Sequence, residues 1–201
     1  MAAKLIVTLP LPVLQQGHVV FAPGLPDTDR ALNGLRMGAV IKVALWFDEP
    51  FWWTPQRQEL GFLSTSGQPF PVLWTTYPVI APLLLAWLAG PAAAALSNLD
   101  DDELVERALR TVDKVFKVRS GARLRHRALH NWQRDPLAGG AYSYVAVGGE
   151  GSQRALAQPV ANTIFFAGEA TDWTGHHATV HGALATGYRA AREALGEEVR
   201  H

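Results

Sequence analysis

The sequence predicts a protein of α/β to α+β class, in which a sheet packs against helices. Short segments rich in β-branched and aromatic residues indicate several strands. A later segment repeats apolar residues at helical spacing. Near the end of the chain, an apolar strand is followed by a turn and a helix with many small residues. This order predicts a ligand site, since open α/β sheets bind ligands outside the carboxyl ends of their strands.

The predicted strands are short apolar runs bounded by turn residues. The first, at 6–9, ends at Pro10 because proline has no N–H group for sheet pairing. A long, half-buried strand is predicted at 37–47, where the sequence reads MGAVIKVALWF. The other predicted strands are 60–64, 72–76, 83–88, 124–132 and 163–167.

Two long helices are predicted in the second half of the chain. The first starts at Asp100, a good N-cap residue, and acidic side chains follow it at the positive end of the helix dipole. Its apolar stripe runs to Phe116, and Ser120-Gly121 is predicted to end it. The second helix is predicted at 178–195.

Composition excludes several classes of protein. The chain has 201 residues, of which 48% are hydrophobic, so it can fold around a core. Its 18 basic residues equal its 18 acidic residues, which removes the general electrostatic argument for nucleic-acid binding. It has no cysteine, which excludes disulfides, thiolate zinc sites and a cysteine nucleophile. We therefore expect no nucleic-acid partner, and a cytoplasmic location.

Residues 78–96 carry no charge and are long enough to span a bilayer. Prolines and Gly90 interrupt any continuous helix there. We therefore predict a buried strand followed by a short alanine-rich helix, and no membrane partner. The opening residues MAAKLIVTLP include a short apolar run, but prolines follow it and no A-x-A cleavage site is present. We expect no signal peptide.

The segment after the last predicted strand has features of a ligand site. Gly168 lets the backbone approach a ligand closely. The N–H groups at the start of the next helix, near Thr179 and Val180, carry partial positive charge. Glu169 can accept hydrogen bonds from ribityl or ribose hydroxyls. A strand, turn and helix packed tightly for structural reasons alone explains the same pattern equally well.

Four blocks of sequence, in order along the chain, resemble one family. The run FFAGEAT…ATVHGA…GYRAA is similar to the C-terminal FAD-binding signature of the flavin amine oxidases. These include monoamine oxidases, polyamine oxidases and flavin-dependent histone lysine demethylases. The other matching blocks are VTLPLPVL, GAVIKVALWFDEPFWW and WQRDPLAGGAYSYVAVGG. The last block is most similar to the polyamine oxidase and demethylase branch.

The resemblance assigns two residues to catalysis. Lys42 matches the family lysine that holds a water molecule against flavin N5. Tyr142 matches an aromatic wall of the amine pocket. From the residues alone, Lys42 is an exposed strand lysine and Tyr142 is a core aromatic, so these structural interpretations stay open.

The resemblance also implies a set of residues that contact FAD. Ala141 stands where some monoamine oxidases carry the cysteine that bonds FAD, so the cofactor is expected to bind non-covalently. The residues assigned to the cofactor are Pro10, Trp132, Gly168, Glu169, Thr179 and Val180.

The resemblance divides the chain into three segments. Residues 1–24 and 131–201 are expected to belong to the FAD-binding domain, whose final strand and helix are the C-terminal signature. Residues 25–130 are expected to form a substrate-binding domain on a mixed sheet. No G-x-G-x-x-G turn of a Rossmann unit is present, because the glycines at 148–151 have the wrong spacing and no suitable helix after them.

The chain is therefore expected to supply the C-terminal half of an FAD-dependent amine oxidase. Such enzymes oxidise a small-molecule amine to an imine and reduce O2 to hydrogen peroxide. We expect a partner subunit or segment that carries the Rossmann unit, and poor FAD binding without it. The alternative is a non-catalytic remnant or interaction module that keeps the substrate-domain fold.

Two other sites were weighed against this assignment. His177 and His181 lie four residues apart, with His176 beside them and Asp172 as a candidate third metal ligand, but histidines satisfied by backbone carbonyls are favoured. A local basic cluster is favoured as a solvated strand face over a nucleic-acid site. Its members are Arg119, Arg123, Arg125, His126, Arg127, His130 and Arg134.

Overall fold

The chain divides into two compact units. In a computed structural model of the chain, residues 2–57 and 59–197 are described. The first unit comprises Met1–Gly38 and Asp135–His201, and the second comprises Ala39–Arg134. The boundaries predicted from sequence lay after residues 24 and 130. Which segments bind flavin and which bind substrate stays a prediction.

Nine strands and six α-helices are found among the described residues. The strands are β1 (Leu5–Val7), β2 (Leu35–Gly38), β3 (Val40–Phe47), β4 (Phe62–Ser64), β5 (Val72–Trp74), β6 (Leu83–Ala89), β7 (Leu124–Asn131), β8 (Tyr142–Val145) and β9 (Ile164–Phe166). The helices are α1 (Leu11–Gln15), α2 (Pro26–Asn33), α3 (Gly90–Leu96), α4 (Asp101–Phe116), α5 (Ser152–Leu156) and α6 (Val180–Leu195). The sequence analysis missed α1, α2 and α5, which are too short to show a clear helical period.

The first unit contains two small sheets. Strands β1 and β9 pair in parallel, and β2 and β8 pair antiparallel. One core cluster includes the buried side chains of Leu35, Leu156 and Phe166, and a second includes Phe165 and Ala190. The side chains of β9 therefore face two different sets of neighbours.

A buried arginine fastens α6 to the segments around it. The Arg189 guanidinium donates to the carbonyl oxygens of Ala157 and Phe166, at 2.9 and 2.5 Å. It also pairs with Glu193 at 2.9 Å. The charge is therefore paired within the fold, as a buried charge requires, while the Arg189 Nε atom has no hydrogen-bond partner among the described residues.

The glycine run at 148–151 serves packing. A Cβ atom added to Gly149 would lie 2.0 Å from the Gly34 carbonyl oxygen, and one added to Gly34 would lie 1.9 Å from Ser152 Oγ. These glycines therefore allow the chain after α2 to pass directly over the start of α5. The helix that follows the run, α5, has only five residues.

The second unit is built on one five-stranded sheet. Its strand order is β4-β5-β6-β3-β7, and every neighbouring pair is antiparallel. The prediction of a mixed sheet is therefore wrong. The α3–α4 segment does connect two strands of the same direction, β6 and β7, but β3 lies between them and runs the opposite way.

The sheet of the second unit has one buried face. Along β3, Ile41, Val43 and Leu45 are fully buried, whereas the residues between them are half-buried. Residues of α4, among them Leu104 and Val112, pack into the same core cluster as the buried strand residues. The alternation predicted for a half-buried strand is therefore present.

Helix α4 begins as predicted. The Asp100 carboxylate accepts a hydrogen bond of 2.7 Å from the Glu103 amide and so caps the helix. The helix ends at Phe116, where Lys117 adopts a left-handed conformation, and not at Ser120-Gly121. Those two residues instead begin a separate short 3-10 turn at Ser120–Arg123.

The predicted strand at 37–47 is two strands in different units. Gly38 in β2 pairs with Tyr142 of β8 in the first unit. After Ala39 the chain continues as β3, which pairs with β6 and β7 in the second unit. Local sequence shows no break here because both strands are apolar and extended.

The uncharged segment around residues 78–96 forms a strand and a short helix. Strand β6 occupies Leu83–Ala89, and α3 follows directly at Gly90–Leu96. This confirms the predicted local structure. Within the described ranges, the chain has no helix with the length and apolar character needed to cross a membrane.

The close approach at Gly149 gives a prediction for stability. Gly149→Ala should lower the free energy of unfolding by about 2 kcal/mol or more, because the new methyl group cannot fit against the Gly34 backbone. Urea unfolding measures this. Gly24→Ala is the control, since a Cβ there would meet no atom within 4 Å. Equal effects of the two substitutions would contradict the packing role of Gly149.

Candidate functional site

The carboxylate of Glu169 joins three segments of the first unit. Its Oε1 accepts a hydrogen bond of 3.0 Å from the Ser143 amide. Its Oε2 accepts bonds of 2.7 Å from the Ser143 hydroxyl and 2.8 Å from the Ala178 amide. Because Ser143 lies in β8 and Ala178 precedes α6, one side chain holds β8, the turn after β9 and the approach to α6 together.

Gly168 forms the turn that follows β9. Its φ of +129° lies in a region that favours glycine, and a Cβ there would have no neighbour within 4 Å. The Gly168 amide donates a 3.0 Å hydrogen bond to Thr186 Oγ1 on α6. The turn is therefore tied to the helix on one side and open on the other.

Thr179 is the N-cap residue of α6. Its Oγ1 accepts a 3.1 Å hydrogen bond from the Gly182 amide, while its own proton goes to the His176 carbonyl. The first intrahelical hydrogen bond runs from the Ala183 amide to the Thr179 carbonyl, so the amides of Val180 and His181 have no acceptor within the helix and point out of its end. The Val180 side chain is 78% exposed. This helix end therefore presents N–H donors at an accessible surface, as the sequence predicted.

Tyr142 lies on β8 opposite Gly38. A Cβ added to Gly38 would be 3.2 Å from the Tyr142 ring, so the ring lies over the glycine. The phenol side chain is half-buried, whereas its neighbour Ser143 is buried and points to Glu169. Tyr142 is thus a partly accessible aromatic residue of the first unit.

Pro10 is at the start of α1. Its carbonyl oxygen accepts a 3.0 Å hydrogen bond from the Val13 amide, and its ring is exposed. The residue ends the extended segment after β1, which agrees with its missing N–H group.

Two predicted site residues lie in the second unit. Lys42 is half-buried on β3, and its Nζ lies 5.5 Å from the centroid of the Trp74 ring. Trp132 begins a 3-10 turn, and its ring is 4.2 Å from the His130 ring. The six other predicted residues belong to the first unit: Pro10, Tyr142, Gly168, Glu169, Thr179 and Val180.

The sequence analysis missed residues that hold the predicted ones in place. Ser143 and Thr186 contact the Glu169–Gly168 turn through side-chain oxygens, and Trp74 contacts Lys42. Trp74 could have been found from its position in the predicted strand at 72–76, where alternate residues face the same side of the sheet. Ser143 and Thr186 gave no local signal, because their partners are far away in sequence.

Asp172 has a different role from the metal ligand that was considered. Its buried carboxylate accepts hydrogen bonds from the amides of Thr174 and His176, at 2.9 and 3.0 Å. The rings of His176 and His181 stack edge to face, with centroids 5.0 Å apart. In the part of the chain that the structure describes, no three His, Cys, Asp or Glu residues are grouped so that they could hold a metal ion.

Several arginines of the basic cluster at 119–134 are paired with carboxylates. Arg123 pairs with Asp48 at 3.0 Å and also with Glu49. Arg127 pairs with Asp102. This neutralisation supports a solvated strand face for the cluster.

A family model described as flavin containing amine oxidoreductase matches residues 1–195. The chain belongs to this family. One relative, lysine-specific histone demethylase 1 homolog 1 of Oryza sativa, is 37% identical over 192 residues, which cover 92% of this chain and 22% of the relative. Histone demethylase-like protein A of Aspergillus fumigatus is 34% identical over 211 residues, covering 96% and 19%.

A human relative has the same partial coverage. Lysine-specific histone demethylase 2 of Homo sapiens is 32% identical over 198 residues, which cover 94% of this chain and 24% of the relative. The chain thus spans about a fifth to a quarter of the length of these relatives.

The first unit has features that suit the flavin of this family. The open side of Gly168 leaves room for a flat group against the backbone, and the start of α6 offers N–H donors. The Glu169 carboxylate has about four lone-pair positions, so three protein donors leave room for one more. The residues present therefore fit a flavin, although Glu169 also has a structural role that the sequence did not predict.

Glu169→Gln should destabilise the first unit. The substitution turns one acceptor oxygen into an NH2 group that faces Ser143 or Ala178 donors, which costs about 2 kcal/mol of unfolding free energy. Urea unfolding checks this value. Glu150→Gln is the matched control, because Glu150 is exposed. An unchanged midpoint in the Glu169 variant would show that its hydrogen bonds do not hold the site together.

Asp172 should make the free energy of unfolding depend on pH. Burial alone would raise the pKa of its carboxyl, but hydrogen bonds from His176 and Thr174 outweigh this and hold the pKa below its usual value. With the folded pKa below the unfolded one, the carboxylate stabilises the fold above the unfolded pKa of about 4, and this contribution is lost as pH falls through the folded pKa.

The substitution Asp172→Asn tests this dependence. The difference in unfolding free energy between wild type and variant should be largest near neutral pH and should shrink below about pH 4. Urea unfolding across this range measures it. Asp27→Asn is the control, since the Asp27 side chain is 91% exposed. A difference that stays constant with pH would rule out the proposed titration.

Proposed function

We propose that this chain is the C-terminal part of an FAD-dependent amine oxidase, which oxidises an amine to an imine and reduces O2 to hydrogen peroxide. The observation that carries the proposal is the Glu169 carboxylate, which brings the Gly168 turn and the start of α6 together in a chain of the flavin-containing family. When bound, FAD supplies the hydride acceptor and the reaction with oxygen.

The first unit offers the groups that would hold the cofactor. The Val180 and His181 amides would bind electron-rich atoms at the helix end. The free lone pair of Glu169 would accept a hydrogen bond from a ribityl hydroxyl. Gly168 would lie against the flat part of the flavin, and Pro10 would contribute a further contact. Since the chain has no cysteine, we propose non-covalent binding.

Two side chains are proposed to act on the reacting groups. The Lys42 ammonium would hold a water molecule near flavin N5. The half-buried Tyr142 ring would line the amine pocket and remove water from it. A desolvated amine has a lowered pKa, so this wall favours the neutral amine that can lose hydride.

The names of the relatives inform the choice of amines to test. These relatives are named as histone demethylases, two of them lysine-specific. We propose lysine-like secondary amines and polyamines as the first substrates to examine.

We also propose a partner segment for cofactor binding. The family's pyrophosphate site uses a G-x-G-x-x-G turn, which this sequence does not contain. The chain by itself should therefore bind FAD poorly, and an added segment that carries this turn should restore binding. A flavin absorption spectrum of the purified chain, with and without the segment, measures this. A stoichiometric yellow protein from the chain alone would refute the need for a partner.

Lys42→Met tests the catalytic role. In the FAD-loaded assembly, the substitution should slow flavin reduction or reoxidation on the order of 100-fold, because misplacing a positioned reactant by about 1 Å costs about this much. Stopped-flow flavin absorbance measures both steps. Lys114→Met is the control, since Lys114 is exposed on α4.

The non-catalytic alternative has a different outcome. If the chain is only an interaction module, the loaded assembly should release no peroxide from any candidate amine. Lys42→Met would then leave every binding measurement unchanged.

A further inference from the structure

The Lys42 side chain lies along the outer, half-exposed face of the second unit's sheet. Lys42 on β3 is directly opposite Trp87 on β6, and Trp87 is opposite Val72 on β5. Trp74 is two residues after Val72 and therefore faces the same side. Because Trp74 is two strands from β3, roughly 10 Å across the sheet, Lys42 must extend over β6 to reach it.

The Trp74 ring is held between two aromatic neighbours. It stacks on Trp87 with centroids 6.0 Å apart and an angle of 26°. On its other side, Phe62 lies 5.9 Å away at 34°. The ring that meets the lysine is therefore fixed by its neighbours.

The burial of the indole N–H of Trp74 is not compensated by a hydrogen bond. The Nε1 atom is buried and has no acceptor among the described residues. A buried donor without a partner is unfavourable, and a benzene ring would avoid that penalty. The property that distinguishes indole here is its electron-rich face, which binds cations best among the aromatic side chains.

The Lys42 ammonium has no competing ion pair. Within residues 2–57 and 59–197, its Nζ forms no salt bridge and lies 5.5 Å from the centroid of the Trp74 ring. Its direction is therefore set by a ring face and not by a carboxylate.

We propose that Trp74 is a positioning residue, whose ring face holds the Lys42 ammonium extended over β6. This inference rests on the proposed function, in which Lys42 orients water at the flavin. Trp74 itself contacts no reacting atom in this account. Removing the ring would leave the charge of Lys42 intact, but the side chain would no longer be held in one orientation.

The contact can be tested by NMR without any flavin. The chain has four lysines, Lys4, Lys42, Lys114 and Lys117, so ¹³Cε-labelled lysine gives few signals. In wild type, the Lys42 Hε signal should be shifted upfield by the ring current, relative to Lys114 and Lys117. Lys42→Met assigns the signal. A Lys42 signal at the position of the exposed lysines would overturn the proposal, and this measurement needs no variant of Trp74.

Two variants of Trp74 distinguish the effect of an aromatic ring from the effect of side-chain size. Trp74→Leu should abolish the upfield shift, whereas Trp74→Phe should keep much of it. Lys4 provides an internal control, because its Nζ lies 5.7 Å from the Phe165 ring in the first unit and should not change. An unchanged Lys42 signal in Trp74→Leu would also overturn the proposal.

Kinetics of the FAD-loaded assembly test whether the contact affects the reaction. Trp74→Leu should slow the flavin step roughly two- to thirty-fold, the range that cation–π energies correspond to, with little change in the KM for amine. Trp74→Phe should recover most of the rate. A normal flavin step in Trp74→Leu, with the NMR shift lost, would contradict positioning. If wild type shows the NMR shift but no amine oxidation, the proposed function fails and the contact stands.

Discussion

The arrangement of the first unit around the Gly168 turn depends on the hydrogen bonds that the Glu169 carboxylate accepts. Glu169 is half-buried, and a charge removed from water must find donors within the protein. It finds them on Ser143 and Ala178, which lie 26 residues before and 9 residues after it. Those bonds determine where the Gly168 turn meets the start of α6. The carboxylate therefore holds the start of α6, with its outward N–H groups, beside the open turn at Gly168.

The second unit shows how one sheet serves two purposes. Alternation along its strands buries one set of side chains against α4 and leaves the other set half-exposed. The buried set is mainly apolar and stabilises the unit through the hydrophobic effect. The half-exposed set includes Trp74, Trp87 and Lys42, where rings and a cation meet.

Glycines in this chain have different physical roles that the sequence alone does not separate. Gly168 has an unusual φ and open space beside it, so it suits the approach of a ligand. Gly149 and Gly34 instead permit two backbones to touch, and the nearby five-residue helix α5 is a packing element. A glycine-rich run before a helix thus indicates a close approach of the backbone. Whether the approaching atoms belong to a ligand or to another part of the chain depends on the tertiary structure.

The sequence by itself determined the family, the Asp100 cap of α4, the strand and helix at 83–96 and the order of strand, glycine turn and helix at the end of the chain. These features depend on local periodicity, capping and matching blocks of residues. Tertiary structure decided the split of 37–47 between two sheets, the antiparallel arrangement of the second unit, and the partners of Glu169 and Lys42. The physical reason is that strand pairing and side-chain contacts join residues distant in sequence, and an extended apolar segment has the same local pattern whichever neighbour it pairs with.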